Sequence, residues 1–506
     1  MPEVPPEQTS IMDQGSCSND SSTNNTAATG VLPSEATTTQ PKDAQNGAVK
    51  RNRGQTSKDR REFARKKFKE RNLEMKQGDK EAQRQPNPER TEARLPKRKV
   101  ALLMGFCGTG YQGMQTNPNA RTIESELFKA LVSAGAVSAD NATDQSKVQL
   151  QRAARTDKGV HAAGQVVALK MIVEDPDIVA KINASLPDQI RVWGYVRVIR
   201  SFNAKTACGS RIYEYLLPTY VLAEPNKANV EIARTVPFHE RRLPETSAEE
   251  MAQLRSYRIS PEMLQYVRDA FAKYKGTHDY RNFTVTRGCT EVNSKRHIYH
   301  FDVSDPMIID GGEWVSLKVK GMSFMMHQIR KMVGLIIMMA KERVPLKLID
   351  EMFGSVRVNV PKAPGLGLLL EQPVFDGYNQ RAANLKQGAT NPVHFDDYKD
   401  AIQKFKQKFI YDAIRETEAA DAVFNEWVKS NEIFPEDYSY INAEGVIPES
   451  AIIVPGQVRR IPPIFLKPGD DADAAATAAE AAAGEGGLPA EAAGASSDDE
   501  VDTKDD

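Results

Sequence analysis

Arg155-Thr156-Asp157-Lys158-Gly159-Val160-His161-Ala162 places one acid between basic residues in a glycine-containing turn. Apolar positions flank it on both sides, Val148 and Leu150 before, Val166, Val167 and Leu169 after. That pattern predicts two strands, over 147–154 and 165–171, joined by the turn. Asp bonds its own backbone and Gly accepts positive φ, so turn chemistry alone accounts for an Asp-Lys-Gly tripeptide. The functional reading goes further: the turn exposes Asp157 among cations that keep it ionised and able to reach a ligand.

Outward from this loop, strands are expected over 100–106, 192–199, 211–217, 297–303 and 314–320. A helix starts after Thr122, its N-cap, with apolar residues at 123, 127, 128, 130 and 131. A second opens at Ser260-Pro261 and should close at Gly276. A Met-rich helix is expected over 323–341, with Met325, Ile329, Met332, Val333, Ile336 and Ala340 on one face. His327, Arg330, Lys331 and Gly334 fall opposite, a cationic face with a bare glycine that permits close approach. Antiparallel-type strands interspersed with helices predict an α+β fold rather than a doubly wound α/β one.

The 506-residue chain is long enough for two or three domains. Residues 1–98 read as a disordered arm, 99–220 as a subdomain carrying the Asp157 loop, and 221–258 as a charged, aperiodic insertion. Residues 259–376 read as a second subdomain, 377–468 as a mainly helical extension, and 469–506 as a disordered acidic tail. The net charge of −1 hides a strong polarity: +11 over 50–99 and −11 over 469–506. The basic arm suggests an anionic partner. Lys50-Arg51, Arg60-Arg61, Arg65-Lys66-Lys67 and Pro96-Lys97-Arg98-Lys99 read as import signals, so an import receptor and the nucleus are expected; the alternative is a solvated, RNA-contacting helix.

Four widely spaced cysteines form neither a disulfide framework nor a zinc motif. No stretch has the length and apolarity of a membrane span, and the acidic, proline-rich N-terminus is neither a secretory signal nor a mitochondrial presequence. Gly108-Thr109-Gly110-Tyr111-Gln112-Gly113 matches a dinucleotide-binding fingerprint. It leads into the turn-prone Met114-Gln115-Thr116-Asn117-Pro118 instead of a helix, and no acid closes a second strand where one is needed. An NAD oxidoreductase is rejected on that ground.

The octapeptide resembles the catalytic loop of the tRNA pseudouridine synthases of the TruA family, which reads Arg-Thr-Asp-x-Gly-Val-His-Ala. Gly108-Thr109-x-Tyr111-x-Gly113-x-Gln115 resembles a second signature of that family. Ile182-Asn183 with Leu186-Pro187, Phe202-Asn203-Ala204-Lys205, Arg211-Ile212-Tyr213-Glu214-Tyr215, and Gly276-x-His278-x-Tyr280-x-x-Phe283 resemble others. So do Ser323-Phe324 with Gln328-Ile329-Arg330, and Gly365-Leu366-Gly367-Leu368. The matches run from about residue 100 to 376, and the long tails look most like the eukaryotic multi-site branch. Lys205 departs from the family's frequent Arg.

The resemblance implies the pseudouridine synthase fold: a mixed, mainly antiparallel sheet from two ferredoxin- or RRM-like halves flanking a basic cleft, with helical C-terminal additions. It implies Asp157 as the essential carboxylate, with Arg330 set against it, and Arg155, Lys158, His161, Tyr213 and Arg330 contacting substrate. The implied partner is tRNA, with small nuclear and messenger RNA left open, along with oligomeric state. The chemistry requires no cofactor. Zinc, reported for some relatives of this branch, has no ligand set in the sequence.

The residues themselves agree with that chemistry. Glycoside hydrolysis normally needs two carboxylates. One acid, a tyrosine and arginines suit detaching uracil and re-attaching it through C5, with Asp157 either attacking C1′ or removing the C2′ proton. A catalytically inactive RNA-binding protein on the same fold is the competing reading; retention of both Asp157 and Tyr213 argues against it.

Overall fold

A computed structural model describes residues 95–285, 291–384 and 391–454. The two tails and most of the basic arm lie outside these residues.

Among the described residues, ten strands form one sheet: β1 (Lys97–Phe106), β2 (Gln151–Arg152), β3 (His161–Ile172), β4 (Ile190–Arg197), β5 (Ser210–Pro218), β6 (Gly276–Asp279), β7 (Lys295–Val303), β8 (Met307–Ile309), β9 (Gly312–Gly321) and β10 (Leu368–Val374). The path runs β4-β1-β3-β10-β5-β9-β7-β6, with β2 on β3 and β8 on β9. All pairs are antiparallel except β3 with β10, which run parallel where Leu369 and Leu370 meet His161 and Ala162. This mixed, mostly antiparallel sheet with flanking helices is the expected α+β class.

The parallel junction positions the site. β3 is apolar along most of its length and buried on both faces, as a central strand must be. Its first residues, directly after the Asp157 turn, lie against β10 in mid-sheet. Leu102, Met104, Val167 and Leu169 join the main core on one face. Ala101, Leu103, Val166 and Ala168 join Phe202, Phe375, Tyr378 and Phe395 on the other, the two-residue period of a pleated sheet.

Helix α1 (Ile123–Ser133) starts at a capping box in which Thr122 Oγ1 accepts from Ser125 N–H. Helix α2 (Pro261–Ala272) is capped by Ser260. It stops short of Gly276, which instead opens β6 at φ +111°. Helix α3 (Gln328–Lys341) is the Met-rich helix, and it is buried almost all round. No helix among the described residues is long and apolar enough to cross a membrane.

Several expectations need correction. Residues 147–154 supply only the two-residue β2, because a 3-10 turn occupies Gln145–Val148 and Gln149 takes a left-handed φ of +53°. The Met-rich helix starts at Gln328, so Met325 belongs to the loop before it. The segment 221–258 contains two helices, Lys227–Thr235 and Ala248–Ser256. Polar bonds to the helix Val423–Ile433 hold this segment: Asn229 Nδ2 to Glu432 Oε2 at 2.7 Å, Arg241 Nη1 to Ile433 O at 2.9 Å, Lys429 Nζ to Thr246 Oγ1 at 2.7 Å. An apolar-periodicity search does not see such attachments. Lys97–Lys99 begin β1, and Lys99 is buried with Nζ on Gln149 O, so the basic arm ends earlier than composition suggests.

The C-terminal helices cover the back of the sheet. Buried Lys406 donates to Glu214 Oε2 on β5 at 2.8 Å and to Glu371 Oε2 on β10 at 2.7 Å. Its charge offsets what would otherwise be a costly buried carboxylate at Glu214.

Candidate active site

A cavity of about 820 Å³ opens over the Asp157 turn. Arg155, Thr156 and Asp157 line one side, Tyr213 and Arg211 from β5 another, and the loop 323–327 with the start of α3 the third.

The turn is shaped by backbone chemistry. Val160 N–H donates to Asp157 O at 3.2 Å, and Gly159 sits at φ +75°. Behind it lies the glycine-rich loop that mimicked a nucleotide fingerprint. Gly159 N–H donates to Tyr111 O at 3.3 Å, and Met114 N–H to Thr156 O at 3.2 Å. A Cβ on Gly108 would meet Val160 O at 2.3 Å, and one on Gly113 would meet Thr156 O at 2.8 Å. These glycines let two backbones touch; α1 begins only at Ile123. Buried Gln165 steadies the approach, accepting from Ala154 N–H at 3.2 Å and donating to Ala154 O at 2.9 Å.

Asp157 is half-buried, and its nearest basic partner is His327, whose Nδ1 lies 3.0 Å from Oδ2. The approach is close but off-line, since Nδ1 has no aligned acceptor. His327 caps α3 in a left-handed conformation at φ +60°, a geometry uncommon for a non-glycine residue. The His327 contact holds the Asp157 carboxyl below the usual carboxylate range against the opposing effect of burial, with Arg330 and Lys362 adding attraction. The N-terminus of α3 favours negative charge in the same place.

Arg330 therefore acts on Asp157 through space rather than by direct pairing. Its Nε donates to Ala363 O at 2.7 Å, and its carbonyl accepts from Ala363 N–H at 3.1 Å. Gly334 permits a close approach, as its missing side chain suggests. What approaches is the chain's own Pro361, whose carbonyl would lie 2.3 Å from a Cβ there. Lys331 turns away, buried with Nζ on Asn282 O and Thr284 O.

Tyr213 is buried at the cavity wall, edge-on to Phe324 with ring centroids 5.2 Å apart. Burial pushes its phenol up to about 12, so it stays protonated at neutral pH. Arg211 bonds Ala153 O at 2.8 Å and Met322 O at 3.1 Å, tying two walls together. Tyr215, two residues further along β5, is fully buried with its hydroxyl on Pro364 O at 2.7 Å, so it offers no ring to a ligand.

Arg155 is exposed and lines the cavity, while Lys158 is exposed and outside its lining. His161 has no exposed surface for a ligand. It accepts from Gly108 N–H through Nδ1 at 3.1 Å, and burial lowers its pKa to about 4. Its place is behind the loop, as a neutral buttress. His327, Lys362 and Gln165 were not among the sequence-derived site residues; only His327 carried a signal, its position beside the Arg330 motif. Among the described residues, no group of three or more His, Cys, Asp or Glu side chains could hold a metal ion, so the residues present do not fit a zinc site.

Comparison with known proteins agrees with this architecture. The sequence signature of the family described as tRNA pseudouridine synthase matches residues 270–376. A Yarrowia lipolytica protein named tRNA pseudouridine synthase 1 is 40% identical over 407 residues, covering 69% of this chain and 77% of the relative. The Saccharomyces cerevisiae protein of the same name is 41% identical, covering 62% and 68%. A Mus musculus protein named pseudouridylate synthase 1 homolog is 42% identical, covering 67% and 74%. With identity of this order over more than two thirds of such a relative's length, the chain belongs to the tRNA pseudouridine synthase family.

Proposed function

We infer that this protein isomerises uridines in tRNA to pseudouridine, with Asp157 as the essential carboxylate. The observation that carries the reading is a single half-buried carboxylate, held ionised by His327, Arg330 and Lys362, at the wall of a cavity large enough for an extruded nucleotide. The N1–C1′ bond breaks, uracil turns, a C5–C1′ bond forms, and the C5 proton is lost as N1 regains one. The change is redox-neutral and adds no atoms, so it calls for no cofactor.

An ionised Asp157 serves either by attacking C1′ or by taking the C2′ proton. Tyr213, neutral and edge-packed on Phe324, suits stacking on the uracil ring and relaying a proton through its hydroxyl. Arg155 and Lys158, exposed on the turn, suit phosphate contacts around the flipped nucleotide. The two halves of the sheet meeting at β3 and β10 support the two-lobed pseudouridine synthase architecture with a cationic cleft between lobes. Small nuclear and messenger RNA as further substrates, and a nuclear site of action reached through an import receptor, belong to the same proposal; the basic sequence at 50–67 supports import.

Incubating the purified protein with a uridine-containing tRNA transcript in chelator-treated buffer tests the activity. Pseudouridine in the transcript is expected; tight binding without any conversion would favour the inactive RNA-binding alternative.

A further inference from the structure

Among the described residues, Arg152, Arg155, Lys205, Arg211 and Arg330 line the catalytic cavity, and Asp157 is the one carboxylate that does so. Two of these cations are already engaged. Arg330 is fixed on Ala363 O, and Arg211 donates to the carbonyls of Ala153, Met322 and Lys205. Arg155 stands on the catalytic turn itself. Arg152 differs from all three, because a carboxylate is buried behind it.

Arg152 lies on β2, paired with Val167 of β3, and Val167 joins the same core face as Tyr213. Directly paired residues of antiparallel strands share a face, which puts Arg152 on the cavity side of the sheet. Its Nε forms an ion pair with Glu124 Oε1. The Glu124 side chain has no exposed surface, whereas that of Arg152 keeps 19%. Nε is buried, and neither Nη has a hydrogen-bond partner among the described residues. Burial pushes the Glu124 carboxyl up, and the Arg152 charge opposes that. Neutralising Glu124 is one role for Arg152, since an unpaired charge there would be costly. That role leaves the outer edge of the guanidinium unexplained.

Glu124 is itself fixed from the catalytic side. Its Oε2 accepts from Thr116 N–H at 2.9 Å, and its own N–H donates to Met114 O at 3.0 Å. Met114 N–H in turn donates to Thr156 O, beside Asp157, at 3.2 Å. The segment after the glycine-rich loop therefore braces both the catalytic turn and the carboxylate behind Arg152.

The free edge selects its ligand. Two Nη groups present donors and no acceptor. The pairing edge of uracil alternates acceptor, donor, acceptor, so a pair of donors there would meet N3–H as well as a carbonyl. A phosphate offers two acceptor oxygens and a charge, which a guanidinium meets bidentately. We propose that Arg152 binds a backbone phosphate of the RNA strand that carries the target uridine, and that Glu124 is the positioning residue that aims it. Lys205, in the short helix Ala204–Ala207 packed against β2, adds charge at the same wall. This rests on the reading that the protein acts on tRNA.

The test is filter binding of a full-length tRNA transcript across a salt series, beside single-turnover pseudouridine formation by the full-length chain. Arg152→Ala alone would leave Glu124 charged and buried, so the decisive variant combines Arg152→Ala with Glu124→Gln. It removes both charges and keeps an acceptor for Thr116 N–H. This double variant is expected to bind about tenfold more weakly, with a much smaller loss of the saturating rate. Its plot of log affinity against log salt should be shallower by about one. Glu124→Gln alone keeps the Arg152 charge but not its aim, so affinity should fall by less and the salt slope should stay near wild type. Wild-type affinity and slope in the double variant would overturn the proposal and leave Arg152 as the counter-ion of Glu124. Weaker binding with an unchanged slope would also overturn it, because the group contacted would then be uncharged. Wild-type affinity in Glu124→Gln would overturn the role given to Glu124. If the wild-type protein makes no pseudouridine, the underlying reading fails instead, and the salt series still decides the Arg152 contact.

Discussion

His327 Nδ1 lies 3.0 Å from Asp157 Oδ2, so the nearest basic group to the proposed catalytic carboxylate comes from the residue that caps α3, not from the arginine one turn later. The contact is the largest influence lowering the Asp157 carboxyl. Replacing His327 by Ala removes it and lets that carboxyl move back up. A raised carboxyl is protonated at higher pH, so the acid limb of the saturating rate should shift upward. A pH–rate profile under single turnover reads this directly; an unmoved acid limb would show that the contact does not tune Asp157.

Arg330 contributes charge and a fixed position through Ala363 O. Arg330→Ala should lower the saturating rate roughly a hundredfold, the size of a few kcal/mol of Coulomb attraction at intermediate dielectric. tRNA affinity should fall much less. Arg330→Lys keeps the charge without the Nε bond and should recover part of the rate. A loss confined to affinity would reassign Arg330 to phosphate contact.

His161 predicts a pH-dependent stability. Its pKa is about 4 in the folded state, below the ordinary 6.5. Between those values the unfolded chain binds more protons, so this contribution to stability rises with pH at up to about 1.4 kcal/mol per unit. It is fully present above pH 6.5 and lost as pH falls toward 4. His161→Gln should flatten that slope, read from urea midpoints at about pH 5 and about pH 6.5. An unchanged slope would mean that His161 is not held neutral by burial.

Gly113 and Gly110 separate contact from conformation. Both have positive φ, +101° and +82°, but only Gly113 packs against the Asp157 turn, whereas a Cβ on Gly110 meets nothing within 4 Å. Gly110→Ala should cost about 1–2 kcal/mol of stability and keep activity. Gly113→Ala should also displace Thr156 and abolish most turnover. Equal activity in the two variants would detach the glycine loop from the catalytic turn.

Much of this was legible in the sequence, for identifiable reasons. β1, β3, β4, β5, β7 and β9 show as apolar or alternating runs, and Thr122 and Ser260 signal their helices through side chains that cap locally. The insertion of β10 between β3 and β5 was not legible, since pairing across some 150 residues leaves no local trace. The same holds for His327 and Lys362 converging on Asp157, and for helices in 221–258 held by polar bonds to 423–433. Sequence found the acid; the sheet order supplied its neighbours.

Asp157 is proposed as the essential carboxylate, with Tyr213 relaying a proton and the rest of the cavity binding and aiming the nucleotide. The most direct measurement is single-turnover conversion of a tRNA transcript by Asp157→Ala and Asp157→Asn, with transcript affinity measured in parallel. The account predicts no detectable pseudouridine in either variant and affinity within a few-fold of wild type. Turnover near wild type in either variant would contradict it.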